Sequence, residues 1–241
     1  MSNTTITNPI FQGTGVPLIV STAPLQVQRW NLPITGSVYT FTGSASAASV
    51  QTPVWTRLNT GATAGSSALY RANPNQGIYF AKGGGNSMGI QFSRPVWLIW
   101  QGQMSAVSTD RIRIQLGGVD ATITTVGPMT PTNNAFSGLG FLIEGGAIKL
   151  ETINTPAGVA TLNTSATLAT HTTPRLSLKA YSDGLGNVKV YVNENLVSTL
   201  NIGPTQDTGN SICQLRVSVE NTTGPEAFVD LVQDQISVIV E

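Results

Sequence analysis

The sequence predicts an all-β protein, a two-sheet antiparallel sandwich, on three observations. Apolar side chains recur at every second position in six separate segments between Val38 and Val240, the spacing of a strand with one buried face. No run of eleven residues keeps a helical period. The 25 Gly and 13 Pro break the alternation at short intervals, as tight turns between short strands do.

Taken in order, residues 1–36 stand apart as an extended N-terminal arm. Pro17, Pro24 and Pro33 each remove a ladder hydrogen bond at their own position. Between them lie Leu18, Ile19, Val20, Leu25, Val27 and Trp30, a set of apolar anchors too short to bury itself. The sandwich is expected over 37–241. Its strands read as Val38–Phe41, Arg111–Leu116 (Ile112, Ile114 and Leu116 on one face), Leu176–Tyr181, Val188–Val192, Leu215–Val219 and Ile236–Val240. Alternation of this kind marks antiparallel sheets with one wet face, because buried parallel strands are apolar throughout. Asp183-Gly184 and Asn193-Glu194-Asn195 supply turns between the later strands. Gly83-Gly84-Gly85 lacks the Lys-Ser/Thr and helix of a phosphate loop and reads as a turn.

Composition narrows the function classes. Twelve basic residues balance twelve acidic ones, and charged residues make up only 10 % of the 241. A neutral chain has no electrostatic footprint for nucleic acid or an anionic membrane. Pro95–Trp100, the most apolar run, is too short to span a bilayer. Cys213 is the only cysteine and His171 the only histidine, which excludes an internal disulfide and a Cys-based metal cluster. Cys213 reads as a small apolar strand residue and His171 as a solvated loop residue. The first residues carry no export signal.

Two stretches carry a resemblance. Arg175–Leu200 runs strand, Asp-Gly turn, Val190-Tyr191-Val192 strand, polar turn and apolar strand, and it resembles the concanavalin A-like, or laminin-G-like, jelly-roll sandwiches. There these strands form the middle of one curved sheet. The tail is similar to the same fold: Leu215–Asn221, a Gly-Pro loop, Ala227–Asp230, then a last strand that the resemblance places beside the N-terminal one. Pro53–Tyr70, with Leu58, Thr60-Gly61 and Gly65, resembles phage virion sandwich domains.

The catalytic and lectin sites that the resemblance brings to mind have no match. The Glu-x-Asp-x-x-Glu strand of glucan hydrolases is absent. Asp230 and Asp234 lie about 13 Å apart if they share a strand face, too far for a retaining pair. Arg111 and Arg113, with Asp110 beside them, read as a surface ion-pair ladder. Arg175, Tyr181 and Tyr191 with His171 are the nearest approach to a lyase set. Asp183 with Asn187, and Asp207 with Asn210, read as turn residues short of the oxygen count that calcium needs. Trp97 and Trp100 project to opposite faces, one into the core and the other toward a subunit or a glycan.

These readings lead to a definite expectation. The protein is a structural virion protein of a bacteriophage, a capsid decoration or cement protein held by its N-terminal arm. It is made in the host cytoplasm, has no cofactor or metal and is not an enzyme. Its partners are copies of itself (a homotrimer, on the resemblance) and the major capsid protein or another virion protein. The alternative is a phage receptor-binding domain or lectin-like module that takes a host-surface glycan.

Overall fold

Strand periodicity sets the architecture of the computed structural model, which describes residues 28–31, 38–51, 55–71, 95–105, 110–119, 123–133, 135–154, 161–203, 212–232 and 236–240. The described residues form seventeen β-strands and one 3-10 turn at Pro131–Asn133. A six-stranded antiparallel sheet runs in the order β1 (Gln28–Asn31), β17 (Ile236–Val240), β6 (Val96–Gln103), β12 (Arg175–Ser182), β13 (Asn187–Val192) and β14 (Asn195–Asn201). An eight-stranded sheet runs β10 (Thr161–Thr164), β9 (Ala147–Asn154), β8 (Ala135–Glu144), β7 (Asp110–Val119), β15 (Ile212–Asn221), β5 (Ser67–Arg71) and β2 (Val38–Thr42), with β11 (Ala169–Thr170) also on β9. A smaller sheet joins β16 (Phe228–Val232), β4 (Trp55–Asn59) and β3 (Ser46–Gln51).

One core joins the sheets. Leu98, Trp100, Leu176, Leu178, Val188 and Val190 of the six-stranded sheet belong to the same buried cluster as Ile112, Ile114, Leu116, Phe141, Leu150 and Val217 of the eight-stranded one. Leu58, Val229 and Leu231 bring the small sheet into it. Side chains of this size contribute about 1.5–3 kcal/mol each when fully buried. The expected face of Ile112, Ile114 and Leu116 is the core face.

Turn chemistry fixes the hairpins. Gly145 and Gly146, with φ of 56° and 78°, link β8 to β9. Asn193 and Glu194 also adopt positive φ, 49° and 68°, the requirement of a two-residue hairpin whose twist matches its strands. The Asn193 amide oxygen accepts the Ser177 N–H at 3.0 Å, and the Glu194 carboxylate takes Ser177 Oγ at 3.0 Å and the buried Lys179 ammonium. Asp183 closes the β12–β13 turn by accepting from the Leu185 and Asn187 N–H groups at 2.7 and 3.0 Å. It is a turn residue, as its sequence context implies.

One boundary and one strand placement differ from the sequence reading. Gln28–Asn31, inside the span read as arm, pairs with Ser237–Val240 as an edge strand, so the backbone at Trp30 belongs to the sandwich. The last strand does return beside an N-terminal one. Leu18, Ile19, Val20, Leu25 and Val27 lie outside the described residues, as do Gly83–Gly85, Asp207, Asn210 and Asp234. In addition, β12, β13 and β14 run from the sheet's interior to its edge rather than filling its middle.

Candidate functional site

The outer face of the eight-stranded sheet carries the densest group of polar side chains. Register builds it. Arg216 on β15 lies opposite Arg71 on β5 and opposite Gln115 on β7, Gln115 opposite Gly140 on β8, and Gly140 opposite Glu151 on β9. The next row holds Ser218, Arg113, Leu142 and Lys149. Alternation would leave this face to solvent, yet Arg113, Gln115, Glu151, Arg216 and Ser218 are all buried.

Arg113 is the hub. Its Nε donates to Glu151 Oε1 at 3.3 Å and its Nη1 to Glu220 Oε1 at 2.7 Å, while Gln115 Nε2 donates to Glu151 Oε2 at 2.8 Å. The segment 123–130 crosses one end. The Gln214 amide brackets Ile123, accepting its N–H and donating to its carbonyl at 3.0 Å each, and Arg216 Nη2 donates to the Thr125 carbonyl. Met129 is buried there. A Cβ on Gly117 would meet the Met129 sulfur at 2.6 Å and, less avoidably, the Ser137 carbonyl oxygen at 2.9 Å, so a side chain here would crowd both the segment and β8.

Beside this hub lies a small depression of about 10 Å³ over Gly138 and Gly140, walled by Gln115, Glu151, Met129, Ile153 and Leu162 and large enough for about one water. A Cβ on Gly140 would strike the Ile114 carbonyl at 2.7 Å. The floor is therefore bare backbone. Arg216 is the strained member of the face: burial first, then the neighbouring Arg113, lowers its pKa to about 10. At the rim, Arg111 Nε and Lys149 Nζ donate to Glu144 at 2.7 and 3.2 Å and hold its carboxyl below the usual range.

The sequence-selected residues fall as follows. Arg111 is an exposed ion pair, but Arg113 is a buried hub and Asp110 shares the inward face, bonded to Ser105 Oγ at 3.2 Å. Trp97 and Trp100 do face opposite ways, and both are buried. Trp100 sits in the core, with its indole N–H donating to the Asp230 carbonyl at 3.2 Å. Trp97 packs with Ile99, Tyr181 and Tyr191 on the outer face of the six-stranded sheet, its ring 4.5 Å from that of Tyr181 and 6.0 Å from that of Tyr191. Trp97 is the one turned away from the core, and it is covered rather than open to a subunit or a glycan. Tyr181 and Tyr191 are committed to that cluster, while His171 lies at the other sheet, beside the β8–β9 turn. Asp230 is bound bidentately by Arg57 at 2.7 and 3.0 Å. Among the described residues no group of three His, Cys, Asp or Glu is placed to hold a metal ion, and no helix is long and apolar enough to cross a membrane.

His171 is not solvated. It is 4 % exposed, its N–H donates to the Gly146 carbonyl at 2.7 Å, and neither ring nitrogen makes a well-formed bond among the described residues. Burial lowers its pKa, only partly offset by the Met104 backbone. The unfolded chain therefore takes up the proton more readily than the folded one. The contribution of His171 is complete above its unfolded pKa of about 6.5 and is lost as pH falls through the lower folded value. Melting between about pH 8 and pH 5 should show a decline that His171→Leu reduces; an unchanged decline would assign it to other groups.

No protein-family model matches the chain, and no curated protein matches it. Solved structures do. A protein of unknown function from Shewanella oneidensis aligns over 89 % of this chain and 85 % of its own, at 12 % identity and TM-score 0.50. The fold is a concanavalin A-like jelly-roll sandwich. An endo-β-1,4-glucuronan lyase from the fungus Trichoderma reesei aligns over 87 % and 89 % at 13 % identity and TM-score 0.49. A botulinum neurotoxin type C structure, described for cell entry through two ganglioside molecules, aligns over 85 % of this chain at 12 % identity and TM-score 0.47. This chain spans 43 % of that toxin chain.

Proposed function

We propose that this jelly-roll sandwich is a non-catalytic carbohydrate-binding module that takes its ligand on the polar outer face of the eight-stranded sheet. The carrying observation is the density of hydrogen-bonding side chains on that face, from the Arg113, Gln115 and Glu151 hub to the exposed Arg111–Glu144 rim. Sugar hydroxyls pair with such donors and acceptors. The carboxylates of this face favour binding over proton transfer, since Glu144, Glu151 and Glu220 each accept from an arginine. A carboxylate already held by an arginine is committed as a hydrogen-bond acceptor.

A glycan array probed with the full chain tests this. Binding is expected, and Leu162→Trp, at a half-buried position on this face, should cover part of the face and weaken binding without loss of fold. An array without signal, or signal indifferent to Leu162→Trp, would overturn the reading. The finer reading is a homotrimeric decoration protein on a bacteriophage particle; its support is the Pro53–Tyr70 resemblance and the Pro-punctuated segment that enters the sandwich through β1. Finding the chain on purified particles, or its absence there, decides that part.

A further inference from the structure

We infer that residues 123–130 form a strap that opens and closes over the buried polar row of the eight-stranded sheet, letting water reach Arg216 when it lifts. No strand includes this segment. It is pinned near its two ends by Ile123 and Met129, which are buried, while Thr124 and Thr125 between them are exposed. Both anchors belong to a small cluster with Val119, Ala135 and Ile153, separate from the cluster that joins the sheets. Two side chains of β15 also hold the strap: the Gln214 amide on Ile123 and the Arg216 guanidinium on the Thr125 carbonyl. Gly127, at φ 113° and with open space where a Cβ would stand, gives the middle of the strap a backbone that bends freely.

The groups beneath oppose closure. Arg216 is 1 % exposed. Its Nε and Nη1 find no acceptor among the described residues, and Gln115 Oε1 on the neighbouring strand has no donor there. Arg71 is the direct cross-strand partner of Arg216, and like charges in that position repel. Buried guanidinium N–H groups without acceptors are costly, and water meets them once the strap is off. Burial holds the Arg216 pKa down at about 10, the direction of a cation that gains from rewetting. Ile123 and Met129 therefore favour the closed form and the charge beneath favours the open one. The segment divides between the two while the sheet stays folded.

Native-state hydrogen exchange of the full chain, read by NMR, tests this with no saccharide present, so its outcome is separate from that of the glycan reading. The Ile123 N–H is expected to exchange at least about a hundredfold faster than the amides of Ile114 and Val217, which are paired in the middle of the sheet. Met129→Ala removes an anchor and should speed the Ile123 exchange at least about tenfold further. Arg216→Met should slow it about tenfold although it deletes the bond to Thr125, because the charge that gains from opening is gone. Arg71→Met, at a half-buried position, removes the repulsion and should also slow it; it stands in if Arg216→Met fails to fold. An Ile123 rate equal to those of Ile114 and Val217 would mean that the strap moves only with the whole sheet, and overturns the inference. Unchanged or faster exchange in Arg216→Met, or in Arg71→Met where that stands in, would make Arg216 a plain latch and overturns it too.

Discussion

Arg57→Met is expected to lower stability by about 3–5 kcal/mol, a larger loss than Asp230→Asn causes. The asymmetry comes from burial. The Asp230 side chain is 0 % exposed and that of Arg57 is 25 % exposed, so removing the arginine strands a carboxylate with no route to water. Removing the acid leaves a guanidinium that reaches solvent and still lies 3.9 Å over the Phe228 ring. The pair ties β4 to β16 through two hydrogen bonds. Thermal unfolding should show a drop of roughly 6–20 °C for Arg57→Met, at about 2–4 °C per kcal/mol for a chain of this size. Replacing both partners with apolar residues should recover much of it. A single-variant loss under about 1 kcal/mol would mean that Asp230 reaches water or another donor.

Trp100→Ala should cost about 3–5 kcal/mol. The ring is fully buried where the six-stranded sheet meets β16, and it lies over Gly102, where a Cβ would approach its Cζ2 to 3.0 Å. Trp100→Phe keeps most of the apolar area but strips the Asp230 carbonyl of its 3.2 Å indole donor. Its cost should be smaller, about 1–3 kcal/mol. Because Trp100 and Arg57 both act on Asp230, their losses should not add. Strict additivity in denaturant unfolding of the double variant would contradict a shared role.

The long strands were legible because a half-buried antiparallel strand must alternate, and Ile112, Ile114, Leu116, Leu178 and Val190 do so. Less legible were the elements whose partners alone define them. Ser46–Gln51 and Thr161–Thr164 have weak patterns and are strands because β4 and β9 offer edges to pair with. Gln28–Asn31 sits among prolines, yet the exposed edge of β17 captures it. Alternation correctly placed Trp97 and Trp100 on opposite faces, but it does not distinguish a covered outer face from a wet one. For the same reason Arg113 read as a surface residue. The candidate site left almost no sequence signal. Arg71, Gln115, Glu151 and Arg216 are spread over the chain, the first and last 145 positions apart, and only sheet register makes them neighbours.

A crystal structure of the full chain with its strongest glycan-array ligand tests the central claim most directly. The account places the sugar on the outer face of the eight-stranded sheet, between Leu162 and the exposed Arg111–Glu144 rim. A ligand on the outer face of the six-stranded sheet, by Tyr181 and Tyr191, would contradict it.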